Sequence, residues 1–163
     1  MKNIITILIS ILISLLTVEL FLRFFLPFPL SGSWRTQDFN GLLLNKKNLN
    51  TKHEYIVDEK IIRANYTFGN FHNRIYKGID YDKSNPKILI LGDSFTFGWL
   101  LNDEDTFIYK LANNKSHLDF INVSAGGWGT SDYLSYIENY CIEIKPKVIL
   151  LFINTGYTPL LLS

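Results

Sequence analysis

The sequence predicts an α/β domain built on a parallel sheet and carried behind an apolar N-terminal helix. Three observations predict it. Residues 87–91, 119–123 and 147–153 are short, nearly wholly apolar runs, with the length and branched composition of strands buried on both faces. Two segments of helical periodicity separate them, and strands alternating with helices specify a parallel sheet with right-handed crossovers. Residues 4–26 form an apolar stretch long enough for a hydrocarbon core of about 30 Å, which needs roughly 20 residues.

In chain order, the first segment is apolar from Ile4 to Val18 except for Thr6, Ser10, Ser14 and Thr17. Glu19 and Arg23 come next at i, i+4, the spacing at which helical side chains meet and pair. Pro27 and Pro29 then stop the helix. Lys2 offers the basic start of a signal peptide, but no Ala-x-Ala-like site comes after it, which favours a retained anchor over a cleaved leader. Basic residues lie on both sides of the span, so charge leaves its orientation open.

Residues 31–84 are polar and irregular, with many Asn and Gly. Glu54-Tyr55-Ile56-Val57 and Lys60-Ile61-Ile62-Arg63 read as a hairpin around Asp58-Glu59. The region is too long for a free loop in a compact domain, so it is expected to fold against the α/β domain on its C-terminal side. Asn85-Pro86 turns the chain into the first parallel strand. Asn102 to Asp105 supply caps and first-turn acids for a helix over 106–114. Its Phe107, Ile108 and Leu111 fall on one stripe. After the second strand comes the glycine loop Ser124-Ala125-Gly126-Gly127-Trp128-Gly129. Thr130 or Ser131 is expected to cap a helix reaching about Glu143. Its Tyr133, Leu134, Ile137, Tyr140, Cys141 and Ile144 recur at helical spacing. The division is thus 1–30 anchor, 31–84 lead-in and 85–163 α/β domain.

Composition narrows the chemistry. Of 163 residues, 16 are basic and 15 acidic, a net charge of +1, which gives no field that would select nucleic acid as a partner. One cysteine excludes an internal disulfide and a cysteine-based zinc site. No Gly-Lys-Ser/Thr phosphate loop occurs, no metal constellation is visible, and no cofactor is implied.

Ser94, in Gly92-Asp93-Ser94, comes directly after the first parallel strand. Open α/β sheets bind ligands at the carboxyl ends of their strands. There a turn can expose a hydroxyl and aim a backbone amide into the same space. A serine becomes a nucleophile only when a base takes its proton and donors stabilise the oxyanion. A Ser or Asp at such a turn also serves simply as a cap. Gly127 comes after the second strand, at the same rim, and without a Cβ its amide allows close approach of a ligand; glycine serves ordinary turns as well.

The block Gly92-Asp93-Ser94-Phe95-Thr96-Phe97-Gly98-Trp99, with Asn102-Asp103-Glu104-Asp105-Thr106-Phe107 after it, resembles the first block of the SGNH (GDSL-type) hydrolase family, in particular members behind an N-terminal anchor. Asn122-Val123-Ser124-Ala125-Gly126-Gly127-Trp128-Gly129-Thr130 resembles the second block. The resemblance spans about residues 65–153. It implies a flavodoxin-like three-layer α/β/α fold, and hydrolysis of an acyl ester or acyl transfer to or from a sugar hydroxyl. It makes Ser94 the nucleophile and the Ser94 and Gly127 amides oxyanion donors. It asks a third block for an asparagine donor. Asn154 is the candidate, two or three positions early and with Thr155 next to it in place of aspartate, so a strand-end turn residue is an equal reading.

The family's histidine base, with an aspartate three residues before it, has no counterpart after Ser94. His53 and His72 lie in the lead-in. His117 lies in a turn expected at the opposite edge of the sheet. No motif supports any of them as the base. Residues 155–163 do not read as the next helix. The sequence therefore leads us to expect a membrane-anchored family member truncated before its base and inactive as it stands. The third strand would then be left as an apolar edge, a surface prone to aggregation. The expected partners are the lipid bilayer and an acyl ester, a glycan being one carrier of it. The rival expectation is a tethered sugar-binding module that uses Trp99 and Trp128.

Overall fold

The computed structural model describes residues 2–25, 34–76, 84–115 and 117–154. The chain divides into two units, Met1–Leu30 and Ser31–Ser163.

The first unit is helix α1, Lys2–Phe25. Its segment Ile4–Phe25 has a mean hydropathy of 2.6 and is long and apolar enough to cross a membrane. A signal sequence has the same length and composition. The i, i+4 pair forms as the spacing predicts, with Arg23 Nη2 donating to Glu19 Oε1 at 2.8 Å. The expected stop at Pro27 and Pro29 lies outside the described residues.

In the second unit a parallel sheet of β5 (Lys87–Leu91), β6 (Asp119–Asn122) and β7 (Val148–Leu151) has the order β6-β5-β7. Leu89 aligns with Ile121 on one side and Ile149 on the other. Because side chains alternate along a strand, β5 feeds two cores. Leu89 and Leu91 pack with Tyr133, Tyr136 and Ile144 of α4 (Thr130–Ile144). Ile88 and Ile90 pack with Ile108 and Ala112 of α3 (Phe107–Asn114). One helix thus covers each sheet face.

Several sequence expectations are corrected in detail. The α3 stripe is Ile108 and Ala112, while Phe107 and Leu111 remain accessible. Neither Thr130 nor Ser131 caps α4; Gly129 is its N-cap, and the Gly129 amide donates to Asp132 Oδ2 at 2.8 Å. Leu134 points outward. Cys141 packs beside the α4 core, and burial raises its thiol pKa.

The largest correction concerns the lead-in, in which half of the described residues are in strands. The chain pairs β1 (Arg35–Gln37) with β2 (Leu43–Asn45), and β3 (Asn50–Val57) with β4 (Lys60–Thr67), both antiparallel. The hairpin turns at Asp58-Glu59 as its sequence predicts but is longer. Both turn residues have positive φ, +46° and +64°, the geometry that matches strand twist in a two-residue hairpin. The lead-in packs on the α/β part as expected. Leu42 and Leu44 enter the core on the α4 side, and Tyr76 enters the α3 side. Residues 77–83 and 155–163, the latter read as a tail that starts no helix, lie outside the described residues.

Candidate active site

Ser94 is delivered by a short, well-capped turn. β5 ends at Leu91, and helix α2 (Ser94–Phe97) begins just beyond the Gly92-Asp93 turn. Asp93 caps it, with Oδ1 accepting from the Phe95 amide at 2.9 Å. That is the loop-cap role its position predicts. Gly98 closes the turn in the left-handed region. Ser94 is half-buried. Among the described residues, neither its hydroxyl nor its amide makes a hydrogen bond within the chain.

Gly127 sits in the loop between β6 and α4 with φ of +86°, and the space where its Cβ would lie is open. The left-handed backbone explains the glycine, and the open space leaves its face accessible. Its amide likewise has no acceptor among the described residues. Ser94 and Gly127 line one pocket of about 280 Å³, with Phe97, Trp99, Trp34 and Arg35 as further walls. The structure therefore brings together the first two candidates. Asn154, after β7, lines a neighbouring depression with Asp93, Phe95 and Phe107 instead.

What holds the Ser94 turn in place is Arg74, whose side chain is fully buried. Its Nε donates to Asp103 Oδ1 at 2.8 Å, Nη1 to the carbonyls of Phe97 and Gly98, and Nη2 to those of Leu101 and Asn65. One guanidinium thus ties down the chain from the end of α2 to Leu101. The Tyr66 and Phe97 rings, edge to face with each other, lie against it with centroids at 4.6 and 4.9 Å, a cation–π setting. Asp103, read from sequence as a first-turn acid, is instead its buried counter-ion. Burial pushes the Asp103 carboxyl up, and the Arg74 charge pulls against that. Asn122 braces the same turn, donating to the Thr96 carbonyl at 3.3 Å. Nothing local in the sequence flagged Arg74, because the segment Asn73-Arg74-Ile75 carries no burial pattern.

The three histidines are engaged or placed elsewhere. His53 Nε2 accepts from Trp99 Nε1 at 3.1 Å, behind the aromatic wall of the pocket. Burial first, and the Arg35 charge second, lower its pKa. His72 is buried with Nδ1 bonded to the Asn45 carbonyl and its ring against Tyr140. Burial lowers its pKa too. His117 precedes β6, at the amino ends of the strands, whereas Ser94 and Gly127 lie past carboxyl ends. No histidine lines the Ser94 pocket among the described residues.

The aromatic candidates separate. Trp99 is 41% exposed and lines the pocket. Trp128 is a core residue, 5% exposed, with its indole Nε1 donating to the Leu43 carbonyl at 2.6 Å. Sequence alone did not single out Trp34 or Arg35, which reach the pocket from the far end of the lead-in. Comparison with family models, with curated proteins and with solved structures finds no match.

Proposed function

We infer that the chain carries the nucleophile and oxyanion half of an SGNH-type serine ester hydrolase, acting on O-acyl groups of a carbohydrate or lipid. The observation that carries this reading is the shared pocket of Ser94 and Gly127, each with a backbone amide left without an acceptor in the described chain. The β6-β5-β7 order with one helix on each face supports an open flavodoxin-like sheet, in which that rim is the ligand-binding rim. Helix α1 is read as a retained anchor that holds the domain at an extracytoplasmic membrane surface.

In this reading Ser94 Oγ attacks the acyl carbon and gives its proton to a base. The carbonyl oxygen becomes an oxyanion that the Ser94 and Gly127 amides receive. The alcohol leaves with a proton, and water, or a sugar hydroxyl in the acyl-transfer variant, takes the acyl group from Ser94. Oxyanion donors are worth about 10²–10³ in rate each. No described residue supplies the base, and without one the serine loses most of its nucleophilic advantage.

Added imidazole tests the reading. The full chain in neutral detergent is expected to hydrolyse p-nitrophenyl acetate at the background rate. With imidazole it gains turnover above that of Ser94→Ala treated identically. Equal rates for the two proteins at every imidazole concentration would defeat the proposal. Exposed Trp99 favours one second reading, a sugar-binding module without chemistry. Under that reading sugar binding survives Ser94→Ala and imidazole rescues nothing.

A further inference from the structure

We propose that Arg35 is a substrate-selecting residue that makes the Ser94 pocket a receptor for an acidic sugar, one bearing a carboxylate or phosphate beside its acylated hydroxyl. The inference rests on the esterase reading for the chemistry at Ser94, but the anion site stands on its own geometry.

Among the described residues that line this pocket, Arg35 alone is charged. Its guanidinium lies directly over the glycine loop, so that a Cβ on Gly126 would collide with Arg35 Nη2. That same Cβ position is 3.7 Å from Ser94 Cβ, which puts the cation beside the candidate nucleophile. Among the described residues Arg35 has no carboxylate partner, and its guanidinium donates no hydrogen bond. Beside the glycine loop it also lies over the Trp34 ring, 5.9 Å from the centroid. The contrast with Arg74 is direct. There every guanidinium nitrogen is used inside the protein; here the planar fork that suits a carboxylate or phosphate faces a pocket. The field of the uncompensated charge reaches His53 behind the wall.

The remaining walls specify the rest of the ligand. Trp34 and Trp99 present aromatic surface, and Phe97 adds an apolar floor. Aromatic faces beside one cation fit a sugar ring that carries an anion better than they fit a flexible aliphatic chain. An oxyanion formed at Ser94 would also lie near the guanidinium, yet the two backbone amides already address that atom. The fork is left for a second, permanent anion on the substrate.

Intrinsic tryptophan fluorescence of the full chain in neutral detergent provides the test, since two of the three tryptophans line the pocket. Methyl glucuronide and methyl glucoside 6-phosphate are titrated against methyl glucoside at equal ionic strength. The anionic sugars are expected to bind about tenfold or more tighter than the neutral one, the advantage of a charge-assisted hydrogen bond. Arg35→Gln is expected to erase that preference, Arg35→Lys to keep part of it, and Ser94→Ala to leave it intact. Preference for the uronide alone identifies a carboxylate ligand, and preference for the phosphate alone a phosphorylated one. Equal binding of all three sugars, no binding of any, or a preference that survives Arg35→Gln would each overturn the inference. If imidazole-rescued turnover at Ser94 persists in any of those cases, the esterase reading stands and only the anion assignment falls.

Discussion

Strands β5 and β7 have nearly the same sequence character and opposite surroundings. β5 reads Lys-Ile-Leu-Ile-Leu, and its last three residues are fully buried. β7 reads Val-Ile-Leu-Leu, and Val148, Ile149 and Leu151 are 44%, 38% and 50% exposed. The difference is made by neighbours. β5 lies between two strands, with α3 and α4 on its faces and the lead-in closing over both cores. Among the described residues, β7 is hydrogen-bonded on one side only. The candidate nucleophile is attached to the buried strand and Asn154 to the exposed one. A rigid support is what a nucleophile turn needs, and of these two strand ends the β5 one has it.

Breaking the support should show this most strongly. Arg74→Met leaves Asp103 buried without its counter-ion and frees four backbone carbonyls. The expected loss is about 3–5 kcal/mol, the cost of removing one partner of a buried pair, read as a lowered urea midpoint. Retention of the wild-type midpoint would mean that the turn is held by something else. The two strands themselves come next. Leu89→Ala should cost about 2–5 kcal/mol, as a core truncation does, and Ile149→Ala about 1 kcal/mol or less, as a partly exposed one does. Equal losses would show that β7 is as well covered as β5.

The smallest effect is one of pH. Burial holds the pKa values of His53 and His72 below the ordinary 6.5. The unfolded chain therefore takes up protons that the folded chain refuses as pH falls below about 6.5. Stability from these two groups is complete above that value and declines below it. The urea midpoint should fall between about pH 7 and pH 5.5, and His72→Gln should flatten the decline. A midpoint that rises on acidification would contradict the assignment of two buried neutral imidazoles.

The parallel part of the fold was legible because its signals are local. Apolar runs marked all three strands, and helical spacing marked α3 and α4 to within a residue or two of their observed ends. Turn chemistry at Asp58-Glu59 marked the hairpin. The lead-in was misread as irregular because β1 and β2 have three residues each, too few for any periodicity, and β3 and β4 are largely exposed and polar. Within the site, Ser94 and Gly127 could be placed at one rim because each lies just past a recognisable strand. Arg35 and Arg74 could not, since long-range pairing alone brings them in. Trp128 shows the opposite failure. A tryptophan in a glycine loop invites a binding role, but here it fills the core between β2 and α4.

The most direct measurement is of the two amides in one adduct. Treatment with excess fluorophosphonate in the presence of imidazole, which takes the serine proton as fluoride leaves, places a tetrahedral phosphonyl group on Ser94 Oγ, with one oxygen standing where the oxyanion forms. Amide proton shifts of the ¹⁵N-labelled full chain in detergent then report who receives that oxygen. Downfield movement of both the Ser94 and the Gly127 amide protons is the predicted result. A Gly127 resonance that stays in place while Ser94 is fully modified would contradict the convergence of hydroxyl and amides at this rim.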